Sequence, residues 1–287
     1  MTAIYKKEMR TYFTQMMGYV FLAFLLLLVG IWFAMVNVTG HNANFHNVLS
    51  QVTIFFFILL PILTMRLFSE ETRQKTDQLI FTSPLTITGI VLGKFFAALS
   101  LFIIGTAITI ILPAMLSLYG ELPASQILGT YIGFVLLGAC CIAVGVLISC
   151  LTENQIVAAV GTMGAIFTMF IIDAIALAMP ISTFASLMFV ALIIAAVVAV
   201  WYNSTRNILA SVIVGAGGLA FSAGLYIANN LIFDGLIVRV LLWFSIFARF
   251  ASFTRGILHL ADIVYYISFA ALLLYITVNI LEKRRWR

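Results

Sequence analysis

The chain has 287 residues, of which 64% are hydrophobic and 9% charged, with a net charge of +5 and a mean hydropathy of +1.18. Soluble domains carry about a quarter charged residues, so a soluble enzyme or binding module is excluded. The basic excess does not indicate nucleic-acid binding, because Lys and Arg gather at the ends of apolar runs, where membrane orientation requires them.

Residues 1–17, MTAIYKKEMRTYFTQMM, have the layout of an interfacial helix. Tyr5, Met9, Tyr12 and Met16 fall on one face, and Lys6, Lys7 and Arg10 on another. A first span follows over roughly 18–36. No small-residue cleavage site stands at the usual distance, so this is expected to be a retained span. The loop NVTGHNANFHN has no Lys or Arg and is expected outside. Its His41 and His46 lack a cysteine or carboxylate neighbour, which argues against a metal pair. The second span covers roughly 50–68, and Pro61 in its middle predicts a kink. Phe55 and Phe56 in the same span fit either an apolar pathway or lipid contact.

Residues 66–95 form the longest polar interruption, with Arg66, Glu70, Glu71, Arg73, Lys75 and Asp77. Ser69 suits a helix cap, and the two early carboxylates suit the positive end of the helix dipole. Pro84 stops the helix. The prediction is a helix over 69–83, about three turns long, on an aqueous face and pinned by a span at each end. The third span runs over roughly 88–117, with Lys94 near its inner end and able to snorkel. Gly89 to Lys94 falls one residue short of a phosphate loop and ends in Phe95, so this chain is expected to hold no ATP. No HExxH or GxSxG motif is present. Glu70-Glu71 departs from the EExxxR of an intramembrane protease, because position 75 is Lys.

A fourth span at roughly 126–150 carries the GxxxG pair Gly129 and Gly133, a close-packing signal. Cys140, Cys141 and Cys150 lie in or beside it and give neither a disulfide framework nor a metal spacing. The fifth span, roughly 155–178, holds Asp173 in its outer part and is closed by Pro180. Two further spans are expected at roughly 182–202 and 207–228, joined on the inside at Arg206. Residues 229–260 contain Arg239 and Arg249, which are costly in lipid, and read as an outer surface or re-entrant helix before a last span at roughly 262–281. The fold expected is one all-α polytopic membrane domain of about eight transmembrane helices. Twelve of the 15 Lys and Arg residues then lie inside, with both termini cytosolic.

The order at 69–95, a Glu-Glu opening, a polar turn, TSPLT, then GIVLGKF, resembles the coupling helix of ABC export permeases. The opening KKEMRTYF…GYVF and the ending FTRGILHLADIVYYISFAALLLYITVNILEKRRWR are similar to those of the gliding-motility type in the ABC-2-like family. The likeness covers residues 1–180 and roughly 245–287. It implies a non-catalytic permease subunit of the cell membrane, paired with a second permease subunit in a homo- or heterodimer. A separate ATPase would bind ATP and Mg, and an accessory membrane protein is a further expected partner; nucleic acid is not. The resemblance assigns Glu70, Glu71, Arg73, Lys75 and Asp77 to ATPase coupling; Phe55, Phe56, Pro61 and Asp173 are the candidates for a pathway lining read from the residues themselves. The family's usual architecture has six spans, so eight is a departure. Two readings from other classes remain: a membrane scaffold that docks a cytosolic partner, and a secondary transporter using Asp173. Against the second, Asp173 stands alone and no inverted repeat is visible.

Overall fold

All regular structure among the described residues is helical. The computed structural model describes residues 1–41, 44–76, 86–118, 122–179, 181–205, 214–218, 220, 222, 224–226 and 233–285. The helices are α1 (Thr2–Thr14), α2 (Met16–Phe33, extended by a π-helical stretch Ala34–Thr39), α3 (His46–Val52), α4 (Phe56–Thr64) and α5 (Ser69–Arg73). There follow α6 (Ile87–Ile108), α7 (Ile111–Leu116), α8 (Ala124–Leu151), α9 (Gln155–Ala178), α10 (Thr183–Thr205), α11 (Leu236–Phe244), α12 (Ile246–Thr254) and α13 (Leu260–Arg285).

Six stretches are long and apolar enough to cross a membrane: Met16–Thr39, His46–Arg73, Ile87–Leu116, Ala124–Leu151, Gln155–Ala176 and Leu260–Arg284. A multi-pass membrane protein follows, since a bilayer core of about 30 Å needs about 20 apolar residues per helix. Of the eight spans expected, six are found among the described residues. In α10 the apolar stretch that qualifies is only Thr183–Ala196, and most of the expected span 207–228 lies outside the described residues. The segment 229–260, expected outside, holds α11 and α12, each nine residues long and parted at the extended residue Ser245. Among the described residues a seventh span exists only if these two short helices make one broken span.

The chain divides into two compact units, Met1–Phe170 with Ile246–Arg287, and Ile171–Ser245. In the first unit α8 is the most buried of the six spans and the hub. It packs against α4, α6, α12 and α13. Lipid tails are as apolar as leucine, so helices in a bilayer are held by close van der Waals fit rather than by escape from water. The GxxxG pair supplies that fit against α12. A Cβ at Gly129 would stand 2.7 Å from the Phe253 carbonyl oxygen, and one at Gly133 would stand 2.6 Å from the Phe253 Cβ.

Aromatic side chains fill the centre. Phe56 meets Phe134 at 4.9 Å and Phe102 at 5.7 Å between ring centroids, and Phe102 stacks on Phe134 at 5.4 Å. Pro61 is buried inside α4. The span is irregular on both sides of it, tightening into a 3₁₀ turn at Thr53–Phe55 and passing into turns at 65–68. At the start of α13, Arg249 pairs with Asp262 at 2.8 Å and lies 4.0 Å above the Tyr265 ring, while Ser252 donates to the second Asp262 oxygen at 2.8 Å. The arginine that sequence places outside is therefore neutralised within α12 and α13.

The second unit packs α10 against α11 and against residues 214–218. Gly235, at φ +62°, opens α11 and donates its N–H to the Ile181 carbonyl at 3.4 Å.

One crossing separates Asn44 from Lys75, a second separates Lys75 from Leu118, and two separate Lys75 from Glu153. The three native cysteines are buried. Introduced cysteines at 44 and 118 should therefore react with an impermeant thiol reagent from one face of the membrane, and those at 75 and 153 from the other. Labelling of 44 and 75 from the same face would contradict the second span.

Candidate functional site

Lys94 lies two turns into α6 and is 1% exposed. It does not snorkel, which corrects the expectation from sequence. An ammonium taken out of water must be paired, and three elements supply its partners. Glu71 of α5 approaches at 2.8 Å, and Glu8 of α1 at 3.2 Å. Lys94 also donates to the Leu67 carbonyl and lies 4.9 Å from the centre of the Phe68 ring. The other Glu71 oxygen accepts from Lys7 at 2.9 Å. Two ammonium groups and two carboxylates thus form a neutral cluster joining α1, α5 and α6. Partial burial works to lower the Lys7 ammonium, but the hydrogen bond and charge of Glu71 carry it above its ordinary value.

The sequence permits this approach through Gly93. A Cβ there would stand 3.1 Å from Ile4 side-chain atoms and 3.2 Å from the Met1 carbonyl oxygen, so α1 lies almost on the α6 backbone. Tyr5 donates to Ser100 at 3.0 Å, and Tyr12 donates to the Leu63 carbonyl at 3.1 Å. Burial raises the Tyr12 hydroxyl well above its ordinary value, so it stays a donor. The docked face of α1 is Ile4, Glu8 and Tyr12, with Tyr5 and Met9 flanking. Met16, expected on that face, instead opens α2 and is 83% exposed. Lys6, Lys7 and Arg10 are exposed, on the other side.

The helix expected over 69–83 is shorter in its described part. It ends at Arg73, and Lys75 turns the chain at φ +57°. Asp77 and the remainder of that segment lie outside the described residues. Ser69 does not cap; its hydroxyl donates backward to the Met65 carbonyl. The free N–H groups of Phe68 and Ser69 are instead met by Ser149 of α8, at 3.1 and 3.3 Å, and that hydroxyl donates to the Met65 carbonyl at 3.2 Å. One donor and two acceptor sites are all a serine hydroxyl offers, so this single side chain anchors the start of α5 to the hub.

The two glutamates differ. Glu70 is held bidentately by Arg66 at 2.8 and 2.9 Å, and both side chains are partly exposed. Glu71 is turned inward and is taken up by the two lysines. Arg73 and Lys75 are exposed. Phe56 and Pro61 are core residues in the first unit, and Phe55 packs at its edge. Asp173 belongs to the second unit, where one of its oxygens is buried without a hydrogen-bond partner among the described residues. No group of three or more His, Cys, Asp or Glu residues comes together there as a metal cage.

Glu8 was not singled out by sequence reasoning. The available signal was Lys94 itself, a cation within GIVLGKFFAALS, which must find an acid or stay near water.

The chain matches no protein-family model, no curated protein and no solved structure at a significant level.

Removing one member of a buried ionic cluster costs about 3–5 kcal/mol, because the others are left uncompensated. Lys94→Met, which strands two carboxylates, should lower stability to denaturant in micelles by about that amount. Adding Glu8→Gln and Glu71→Gln to it should recover a large part. A Lys94→Met chain as stable as the parent would contradict the buried cluster.

Proposed function

We propose that this chain is the membrane subunit of an ABC exporter, forming the substrate path with a second permease subunit and driven by a separate ATPase. The observation that supports this reading is the clamping of α5. Ser149 holds its start to α8, and Glu71 and Lys94 hold it to α6 and α1. A polar segment fixed this firmly transmits a push to the spans, where a free loop would absorb it.

The division of labour within the segment follows from its geometry. Glu71 acts inward, as the link between α5 and the bundle. Arg73 and Lys75, with the exposed side of Glu70, form the surface offered to the ATPase. In this reading the segment and both termini are cytosolic, in keeping with the Lys and Arg bias. ATP and Mg stay with the partner.

Association with an ATPase tests the reading. Truncating one partner of a charge-assisted pair in a desolvated interface costs about 2–5 kcal/mol, which is about 30-fold or more in affinity. Arg73→Glu combined with Lys75→Glu should leave folding intact and abolish co-purification of the ATPase. A chain isolated from its native membrane with no ATPase attached, and with turnover unaffected by these reversals, would favour the scaffold reading.

The orphaned oxygen of Asp173 favours the secondary-transporter reading and sets a separate check. On the exporter reading, Asp173→Asn leaves transport and its pH dependence intact. Proton-coupled transport that disappears in this variant would overturn it.

A further inference from the structure

Helix α1 has a second face, turned away from the docked Ile4, Glu8 and Tyr12. Lys6, Arg10 and Phe13 stand there at i, i+4 and i+7, one side of a helix, and all three are exposed. The Phe13 ring meets Tyr19 edge-on at 6.1 Å between centroids. Tyr19 is 57% exposed. The strip therefore continues past the break at Gln15 onto the start of α2.

Two observations put this strip at a bilayer rather than against a soluble protein. First, α1 is held at membrane level. Ile4 lies against Gly93, and Tyr5 donates to Ser100, both within the membrane-crossing stretch Ile87–Leu116. Second, the strip runs onto the first crossing, Met16–Thr39, whose most apolar stretch is only 22% buried and so turns most of its surface to lipid. Cations followed by exposed aromatic rings match the passage from head groups to acyl chains.

Charge selects the head group. Glu8 is the only acid in the first 69 residues, and it is turned inward to Lys94. Glu70 is taken by Arg66, and Glu71 by Lys7 and Lys94. Lys6 and Arg10 make no ion pair among the described residues, so both are free to meet phosphates.

We infer that the outward face of α1 is a docking surface for anionic phospholipid head groups, with Lys6 and Arg10 on the phosphates and Phe13 at the edge of the acyl region. The bundle and the bilayer then hold α1 from opposite sides. The apolar face that sequence assigns to the membrane is the one α6 takes. This surface belongs to α1 and does not depend on the exporter reading, which concerns α5 and a soluble partner.

Lipid titration of the full chain in micelles, followed by native mass spectrometry, tests it. The first phosphatidylglycerol should bind about 30-fold more tightly than the first phosphatidylcholine, the worth of two surface cations. Lys6→Gln with Arg10→Gln should erase most of that preference. Arg73→Gln with Lys75→Gln removes the same charge away from the strip and should leave it intact. Ala3 is exposed and lies seven residues before Arg10, on the same side of α1. In phosphatidylglycerol bilayers a nitroxide at Ala3→Cys should be several-fold less open to a water-soluble nickel chelate than one at Lys75→Cys. No preference in the parent, a preference kept by the Lys6 and Arg10 variant, its loss in the Arg73 and Lys75 variant, or a label at position 3 as open as that at 75 each overturns the inference. Co-purification of an ATPase should be unchanged by Lys6→Gln with Arg10→Gln, and its loss there would overturn the inference by giving the face to a soluble partner.

Discussion

A buried ammonium governs the end of the bundle where the chain begins. Lys94 is too far from water to stand alone, and its nearest acids come from two other parts of the chain, Glu8 and Glu71. The cost of desolvating that charge is what fixes α1 against α6 and turns α5 inward. Apolar packing alone would leave α1 free to slide in the membrane surface, because one greasy face serves as well as another. An ion pair with a defined length does not slide. Ser149 adds a second constraint of the same kind, since the N–H groups of Phe68 and Ser69 would otherwise be buried unmet.

Much of the architecture was written in composition and spacing. The apolar runs gave the all-helical class and the positions of six spans, because length and hydropathy are nearly all a bilayer asks of a helix. Gly129 and Gly133 announced a close approach, and the structure supplies Phe253 as the neighbour. The amphipathic character of residues 1–17 was legible too, but its docked face was only half right. Met16 was grouped with Tyr12 by helical spacing, whereas the helix breaks at Gln15, whose extended backbone starts a new axis.

What could not be read is pairing at long range. The partners of Lys94 lie 86 and 23 positions away in sequence, and no local pattern connects them. Ser69 looked like a cap because serine before two glutamates favours one. The actual ligand for those amides is a serine on another span, and tertiary packing overrode the local preference. The Glu70-Glu71 pair illustrates the same limit. Two adjacent acids looked equivalent, but neighbouring residues on a helix point about 100° apart. One is spent on the bundle and the other remains at the surface.

The separation of Glu8 from Lys94 also bears on how the chain is made. Helix α1 leaves the ribosome well before α6, yet its ion pair has no counterpart until the third of the described crossings is in place. Until then Glu8 must be kept by water or lipid head groups, and α1 can rest only on the membrane surface. The docking of α1 is thus a late event in the biogenesis of an early segment, and it closes over the first three crossings only after all of them have been inserted.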